Sequence, residues 1–576
     1  MKLQRIISLH ILLLLILFAC QRQEHESEAK KSCTCALKDS SFMDLTLRQK
    51  IGQTVILWSR HIEKECTEHN LSYEEFFERY PPGAIFVGTE VIDEGEKGAE
   101  LLRERIRKYR AAVPYPILIC ADMEDGAGSS VSGFARFPKL MGIGATQSPR
   151  LAYNFAKATA LEARSLGINW LFAPVADLIM NPQNTIVENR SISDDPVFAS
   201  WFLKEVVKGY QDHQIMATAK HFPGDGVDYR NQHFVTSENY LSFDEWKRNH
   251  GAVFQELIDT GVAAIMTGHI SLPDYQRTSS SEKSDYGYLP ATLSSALTSE
   301  LLKQKMGFEG VVVSDALIMG GYLKHFPNRE QADVVCFRSG TDMLLWTSLS
   351  YYDAMENALI NGEISENRLN EALVRIWHLK EKAGLFEKDG EFFPPVLSLE
   401  QKDFIRKVEK EVAQKSLTLV KNCNRVLPLN SKRIKKILIH TITADSKPYE
   451  FLISELVKQF EARGAQVTLL EHLWYPQLEK ASHEHDLLVY AVFNAPRQPI
   501  MSLRSKEKSS IWSALCFGRD KSIVISFDNP FHYDMYRAAA VYINTYNNQP
   551  AGVKYLVDAL YGKLSFQGKS PVNLDR

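Results

Sequence analysis

The chain has no large excess of either charge, no long basic run and no cysteine spacing that suits a metal. Its 67 basic and 70 acidic side chains leave a formal net charge of −3. A phosphate backbone therefore finds no electrostatic footprint, and nucleic acid is excluded as the ligand. The eight cysteines are Cys20, Cys33, Cys35, Cys66, Cys120, Cys336, Cys423 and Cys516. None forms a CxxC or Cys/His cluster of zinc-ligand spacing, so no metal site is expected. Buried free thiols are expected for most of them, although export of the chain leaves a disulfide open. No Gly-rich loop of Rossmann or P-loop type follows the first strand of the C-terminal third, so no nucleotide is expected there. At 576 residues the chain exceeds one typical domain, and two are expected.

One apolar run stands apart. ILLLLILFA, residues 11–19, follows Lys2 and Arg5 and ends at Cys20. It is too short for a stable membrane-spanning helix and reads as a secretory signal. LFAC at 17–20 resembles a bacterial lipobox, which implies that Cys20 is lipidated and becomes the mature N-terminus; the alternative is a plain signal peptide with an incidental cysteine. Residues 1–20 are thus expected as a lipoprotein signal peptide. Residues 21–40, beginning QRQEHESEAKKS, are expected as a polar tether. The expected location is the cell envelope, with the protein exported and lipid-anchored to a bacterial membrane, the outer one foremost.

Beyond the tether, short apolar segments alternate with helix-like stretches. They are TVILW (54–58), GAIFVG (83–88), PILICADME (116–124), NWLFAPVAD (169–177), IMATAKHF (215–222), AAIMTGHI (263–270), GVVVSDAL (310–317) and TDMLLW (341–346). Continuous apolar runs suit strands buried on both faces, as in a parallel sheet. The segments between them are long enough for crossover helices. The expected fold is α/β: a (β/α)8 TIM barrel over 41–395, a linker helix over 396–420, and a smaller open α/β sandwich over 421–576. The stretch LEQKDFIRKVEKEVAQKSLTLVKN is read as the connecting helix.

Active sites of such barrels lie at the C-terminal ends of the strands. Polar residues stand there on five consecutive segments: Asp122 and Glu124, Asp177, Lys220 and His221, His269, and Asp315. Asp315 is either a helix cap or a carboxylate nucleophile or stabiliser at the barrel mouth. Asp122 shares that ambiguity and is also a candidate acceptor for polyol hydroxyls. Arg190 is either a loop-fixing arginine or a ligand contact. Lys220 and His221 are adjacent, so a strand would point them apart unless a loop or bulge intervenes. His233 lies in a loop with Gly224 and Gly226; it matters only if a neighbour fixes its tautomer. Asn231, Asp225 and Asp228 are the candidate neighbours.

These residues stand in blocks that resemble glycoside hydrolase family 3, most closely its β-N-acetylglucosaminidase branch. ADMEDG is similar to that family's Asp-x-Glu-Gly-Gly stretch, ENRSISDDP to its Arg-containing loop ending in Asp-Pro, and KHFPGDG to Lys-His-Phe-Pro-Gly-His-Gly. MTGHISLPDY, PATLS and GFEGVVVSDALIMGG match later barrel blocks, and AGVKYLVDALYGKLSFQGKSPVNL resembles the end of the second domain. The resemblance implies that Asp315 is the nucleophile and His233 the general acid/base, with Asn231 as its partner. It implies that Asp122, Arg190, Lys220 and His221 bind the sugar hydroxyls and acetamido group. The implied activity is exo-acting, retaining removal of terminal β-linked N-acetylglucosamine from glycans or peptidoglycan fragments. No cofactor is implied. The partners are a carbohydrate substrate and, through the lipid, a membrane.

The chain also departs from that pattern. Asn231-Gln232-His233 stands where the family has Asp-x-His, and a carboxamide cannot stabilise an imidazolium with a full charge. Asp225 replaces the histidine of Gly-His-Gly and is a candidate for the missing carboxylate. Asp125 replaces the first glycine of Glu-Gly-Gly, and Ser130 a sugar-contacting arginine. Three other outcomes stay open: a β-glucosidase of the same family, a glycan-binding lipoprotein with impaired catalysis, and phosphorolysis in place of hydrolysis.

Overall fold

The eight apolar segments all form strands. The computed structural model describes residues 39–88, 95–279, 282–386, 396–423, 425–443, 446–471, 475–493, 518–547 and 549–575. The signal, Cys20, Cys33, Cys35, most of the tether and Cys516 lie outside the described residues. The architecture below is that of the unit spanning Asp44–Arg576.

The barrel strands are β1 (Val55–Trp58), β2 (Ala84–Phe86), β3 (Leu118–Ala121), β4 (Trp170–Leu171), β5 (Thr218–Phe222), β6 (Ala264–Thr267), β7 (Val311–Ser314) and β8 (Leu344–Leu345). Five of them pair in the order β8-β1-β2-β3-β4 and three in the order β7-β6-β5, every pair parallel. Parallel bridges Trp170↔Met216 and Val313↔Met343 join the two sheets at both edges, so the ring closes as a (β/α)8 barrel. The runs are continuously apolar because both faces are covered: Val311, Val312 and Val313 are wholly buried. Each such side chain contributes about 1.5–3 kcal/mol by leaving water.

Local chemistry sets where the crossover helices begin. Ser148 and Asp195 each accept hydrogen bonds from first-turn N–H groups of the helices Pro149–Ser165 and Pro196–Gln211. Proline at the first helical position of both has no N–H to leave unpaired. The Asp-Pro that ends ENRSISDDP is therefore a helix start, whatever else the loop does.

The second sheet runs β9 (Thr418–Asn422), β14 (Val541–Asn544), β13 (Ser522–Ser526), β12 (Leu487–Val492), β10 (Lys436–Ile442), β11 (Gln466–Glu471) across its width. All pairs are parallel except β9 with β14. Both faces are buried. Ile437, Ile439, Val489, Ile523 and Ile543 pack on one side with Leu456, Phe460 and Leu556, while Leu438, Tyr490, Val524 and Tyr542 pack on the other with Tyr536.

One expectation is corrected. The connecting helix does not continue to residue 420: it spans Leu399–Lys415, and the chain then becomes the edge strand Thr418–Asn422. The charged helical pattern stops at Lys415. The following Thr-Leu-Val run is β-branched and apolar, and it pairs with the open edge of β14. Of the described cysteines, Cys66, Cys120, Cys336 and Cys423 are free, Cys120 and Cys336 being buried and Cys423 exposed. Among the described residues no helix is long and apolar enough to cross a membrane.

Candidate active site

The polar strand ends converge on one charged layer. Lys220 Nζ lies 2.8 Å from Asp122 Oδ1 and 2.8 Å from Glu124 Oε1. Arg190 forks onto Glu124, with Nε to Oε2 at 2.9 Å and Nη2 to Oε1 at 2.8 Å, and donates from Nη1 to the Ile186 carbonyl at 2.9 Å. Burial pushes the Glu124 carboxyl up, but Arg190 and Lys220 outweigh it and hold the group well below the usual carboxylate range. Burial likewise works against the Lys220 ammonium, and Asp122 and Glu124 raise its pKa regardless. The cluster is thus two fixed cations shared between two carboxylates. Asp122 is its open member, with a half-exposed side chain.

Arg190 is therefore a loop-fixing arginine in its visible contacts. Its loop is braced from the second domain. Asn189 Nδ2 donates to the Asp528 carbonyl at 3.0 Å, Ser193 Oγ to the Pro571 carbonyl at 2.5 Å, and Asn573 N–H to Asp194 Oδ2 at 2.9 Å. Ile186 and Val187 pack with Phe531, Tyr546 and Val572 in the same seam.

Lys220 and His221 both serve the layer because β5 is irregular there. The register against β6 shifts between Lys220 and Phe222, which makes His221 the extra residue of a bulge. Its backbone N–H donates to Asp177 Oδ1 at 3.1 Å, and its Nδ1 lies 2.7 Å from Asp177 Oδ2. A carboxylate acceptor at Nδ1 places the ring proton there and turns Nε2 toward the mouth. Nε2 is 3.9 Å from Asp315 Oδ2.

Asp315 directly follows β7. Its Oδ1 accepts the Ala316 N–H at 2.8 Å, and its own N–H donates to the Thr267 carbonyl at 2.9 Å. Burial raises its pKa, but His221, His269, the Ala316 N–H and Lys220 together lower it below the ordinary aspartate value. The group is an ionised carboxylate in a nearly dry setting. His269, wholly buried, holds this turn: its Nε2 lies 3.0 Å from the Ala316 carbonyl and its Nδ1 3.0 Å from Thr292 Oγ1.

The loop that leaves β5 returns over the same mouth. His233 sits with its Nδ1 2.8 Å and its backbone nitrogen 2.9 Å from Asn231 Oδ1. The carbonyls of Gln232 and His233 accept the N–H groups of Gly321 and Gly320, so the loop is docked on the segment that follows Asp315. Gln232 is its buried anchor, with Oε1 accepting the His269 N–H at 2.9 Å. The other two candidate neighbours of His233 are committed elsewhere. Asp225 does not supply the missing carboxylate: it takes the Gly226 N–H, Asn184 Nδ2 and Gln232 Nε2. Asp228 takes Arg230 and the Glu238 N–H. Two buried glycines leave this packing no alternative, since a Cβ at Gly226 would meet the Leu178 carbonyl oxygen at 2.0 Å.

Asp125, standing where the resembled pattern has glycine, lies within 3.1 Å of both Arg136 and Lys139. Ser130 is buried. Residues that sequence reasoning named as strand ends but gave no role are Asp177, Glu124 and His269. Gln232 it passed over, and nothing in the spacing distinguishes that buried anchor from an exposed loop glutamine. Three non-glycine residues at this mouth are held at positive φ: Met123 at 40°, Glu188 at 39° and Trp346 at 60°. Such left-handed backbone gathers where a surrounding structure fixes a functional geometry.

The model of the Glycosyl hydrolase family 3 N terminal domain matches residues 46–379. A β-N-acetylglucosaminidase/β-glucosidase of Cellulomonas fimi is 32% identical over 484 residues, which covers 81% of this chain and 85% of that protein. Among solved structures, a β-glucoside phosphorylase bound to 2FGlc superposes with a TM-score of 0.82 at 29% identity, covering 93% of this chain and 95% of its own. A family 3 β-N-acetylglucosaminidase from Paenibacillus sp. str. FPU-7 superposes with a TM-score of 0.76 at 25% identity, covering 92% and 99%.

Proposed function

Given that the chain belongs to glycoside hydrolase family 3, we propose that it removes terminal β-linked N-acetylglucosamine from glycans or peptidoglycan fragments, as an exo-acting retaining enzyme. The observation that carries this reading is Asp315: a carboxylate at the barrel mouth, partly buried, whose pKa His221, His269 and Lys220 lower below the ordinary aspartate value against the effect of burial. In the proposed mechanism Asp315 attacks the anomeric carbon and the glycosidic bond breaks. His233 gives its proton to the departing oxygen, then takes one from the water that releases the sugar. Asn231 orients the imidazole. Asp122, Arg190, Lys220 and His221 hold the hydroxyl and acetamido groups, Asp122 as the exposed acceptor and His221 through the Nε2 that its bond to Asp177 turns toward the mouth.

A second reading is favoured by one observation. Asn231 gives His233 a neutral partner, so an anionic acceptor meets no carboxylate at that position. The 29% identity to a β-glucoside phosphorylase points the same way. Phosphate would then replace water in the second step and yield a sugar 1-phosphate. Aryl β-N-acetylglucosaminide and aryl β-glucoside, each incubated with and without phosphate, separate the readings. Hydrolysis predicts free N-acetylglucosamine at a rate indifferent to phosphate. Phosphorolysis predicts the 1-phosphate and a phosphate-dependent rate. A preference for the glucoside shifts the substrate assignment. No turnover of either leaves the glycan-binding alternative.

We also propose that Cys20 carries lipid and holds the exported protein on a bacterial membrane, supported by LFAC ending the apolar run. Cys20→Ser should release an intact soluble product. Unchanged membrane retention contradicts the anchor.

A further inference from the structure

The crest of the loop that carries His233 has little core of its own. Phe234, beside His233, is 76% exposed, and Tyr229 is 65% exposed. A segment with so few buried apolar contacts keeps its place through its hydrogen bonds. The two ends of the loop are fixed. At its entry the Gly226 carbonyl accepts the Met180 and Asn181 N–H groups, and at its exit Ser237–Glu238 pairs with Ile270–Ser271. Between them the crest rests on Gly320 and Gly321, where a Cβ would meet the Phe234 and Gln232 carbonyl oxygens at 2.4 and 2.6 Å.

One buried imidazole grips this crest. Thr236, three residues after His233, is itself buried. Its Oγ1 donates to the Gly321 carbonyl at 2.8 Å and lies 2.7 Å from Nε2 of His325. A carbonyl only accepts, so the hydroxyl proton goes to Gly321, and Nε2 carries the ring proton that Thr236 receives. That leaves Nδ1 bare, and it accepts from Ser284 Oγ at 2.7 Å. Ser284 Oγ in turn accepts the Tyr286 N–H at 3.2 Å. The bonds therefore run in one direction, from the hairpin Lys283–Tyr288 through the imidazole to the loop. His325 stands just past the short helix Gly320–Leu323, in the segment that follows Asp315. Burial, Lys324 and His269 push its pKa down to about 4, so the ring is neutral at neutral pH.

We propose that His325 is a positioning residue for this reaction: it clamps the crest carrying His233 onto the segment that follows Asp315, with Thr236 as the grip and the hairpin as the backstop. The inference rests on the acid/base reading of His233. Nucleophile and acid/base stand on different elements, and their relative placement must hold to a fraction of an ångström. Gly321 joins them from both sides of His233. Its N–H goes to the Gln232 carbonyl, and its carbonyl takes the Thr236 hydroxyl that His325 holds. The clamp thus sets the acid against the carboxylate it serves without touching the sugar. A loosened crest misplaces His233, and the cost falls on substrates whose leaving group needs a proton.

The test compares kcat/KM on an unactivated phenyl and an activated dinitrophenyl β-glycoside of the sugar the enzyme accepts. His325→Gln keeps a neutral N–H donor where Nε2 stands, whereas His325→Asn is too short to reach Thr236. His325→Asn should lose about 10- to 100-fold on the phenyl glycoside and less than about threefold on the dinitrophenyl one, and His325→Gln should stay within about threefold of wild type on both. Thr236→Val breaks the same bond from the other side and should match His325→Asn. The double variant should fall no more than about threefold below the worse single one, because both remove one interaction. Losses equal on both substrates, a Gln variant no better than Asn, or fully additive losses overturn the proposal. If His233→Ala also loses equally on both substrates, or no glycoside is turned over, the acid/base reading itself has failed. The clamp is then judged by amide hydrogen exchange over residues 229–236. Exchange should speed about tenfold in His325→Asn and Thr236→Val and stay near wild type in His325→Gln; unchanged exchange overturns the clamp as well.

Discussion

Asn231 Oδ1 lies 2.8 Å from Nδ1 of His233. A carboxamide oxygen accepts a hydrogen bond without bringing charge, so it fixes the ring's tautomer but does not favour imidazolium as a carboxylate would. Asn231→Asp adds that charge. The basic limb of the kcat/KM profile should then move up by about 0.5–1 pH unit, since an opposite charge raises the pKa of the acid that must be protonated. An unmoved limb shows that this pair does not set the proton transfer.

His233→Ala removes the proposed acid/base. Substrates with poor leaving groups should slow by about 10²–10⁴-fold, and activated aryl glycosides far less at the first step, because they need little protonation. Equal loss on both classes contradicts the role.

Asp177 receives the His221 N–H, its Nδ1 and the Asp225 N–H, and is wholly buried. Asp177→Asn replaces an acceptor-only group by one that is half donor. It should cost about 1–3 kcal/mol of stability and lower kcat/KM by at least about tenfold through misplacement of His221. A variant with wild-type kcat/KM at reduced stability would make Asp177 purely structural.

Asp528 faces the seam between the domains. Burial pushes its carboxyl up to about 7, against Lys139 and Arg136 and with the help of Asp125, and its Oδ2 has no donor. An acid whose folded pKa exceeds its unfolded value of about 3.9 favours folding fully only below that value. The advantage is lost as pH rises through the folded pKa. Asp528→Asn stays neutral throughout. In urea unfolding it should gain on the wild type by about 1–3 kcal/mol between pH 5 and pH 8. A difference independent of pH contradicts the assignment.

The barrel and most of the charged layer were legible because a buried parallel strand is a continuous apolar run whose end is marked by the first polar residue. Asp122, Lys220, His221 and Asp315 all announce themselves that way. The partner of His233 was not legible. Asn231, Asp225 and Asp228 lie within eight residues of it, and only the folded loop sends the two aspartates to Asn184 and Arg230. Asp177 and His221 are separated by 44 residues, so their pairing depends on which strands are neighbours in the barrel. The strand Thr418–Asn422 was hidden for another reason: a short apolar stretch directly after a long helix carries no period of its own, and only the open edge of β14 decides it.

The central claim is that Asp315 bonds covalently to the sugar. A 5-fluoro N-acetylglucosaminyl inactivator, followed by proteolysis and mass spectrometry, tests it directly. The enzyme should lose activity with time, and one glycosyl unit should be found on the peptide containing Asp315, with no label in Asp315→Ala. A label on another residue, or stoichiometric inactivation with Asp315 unmodified, contradicts the account.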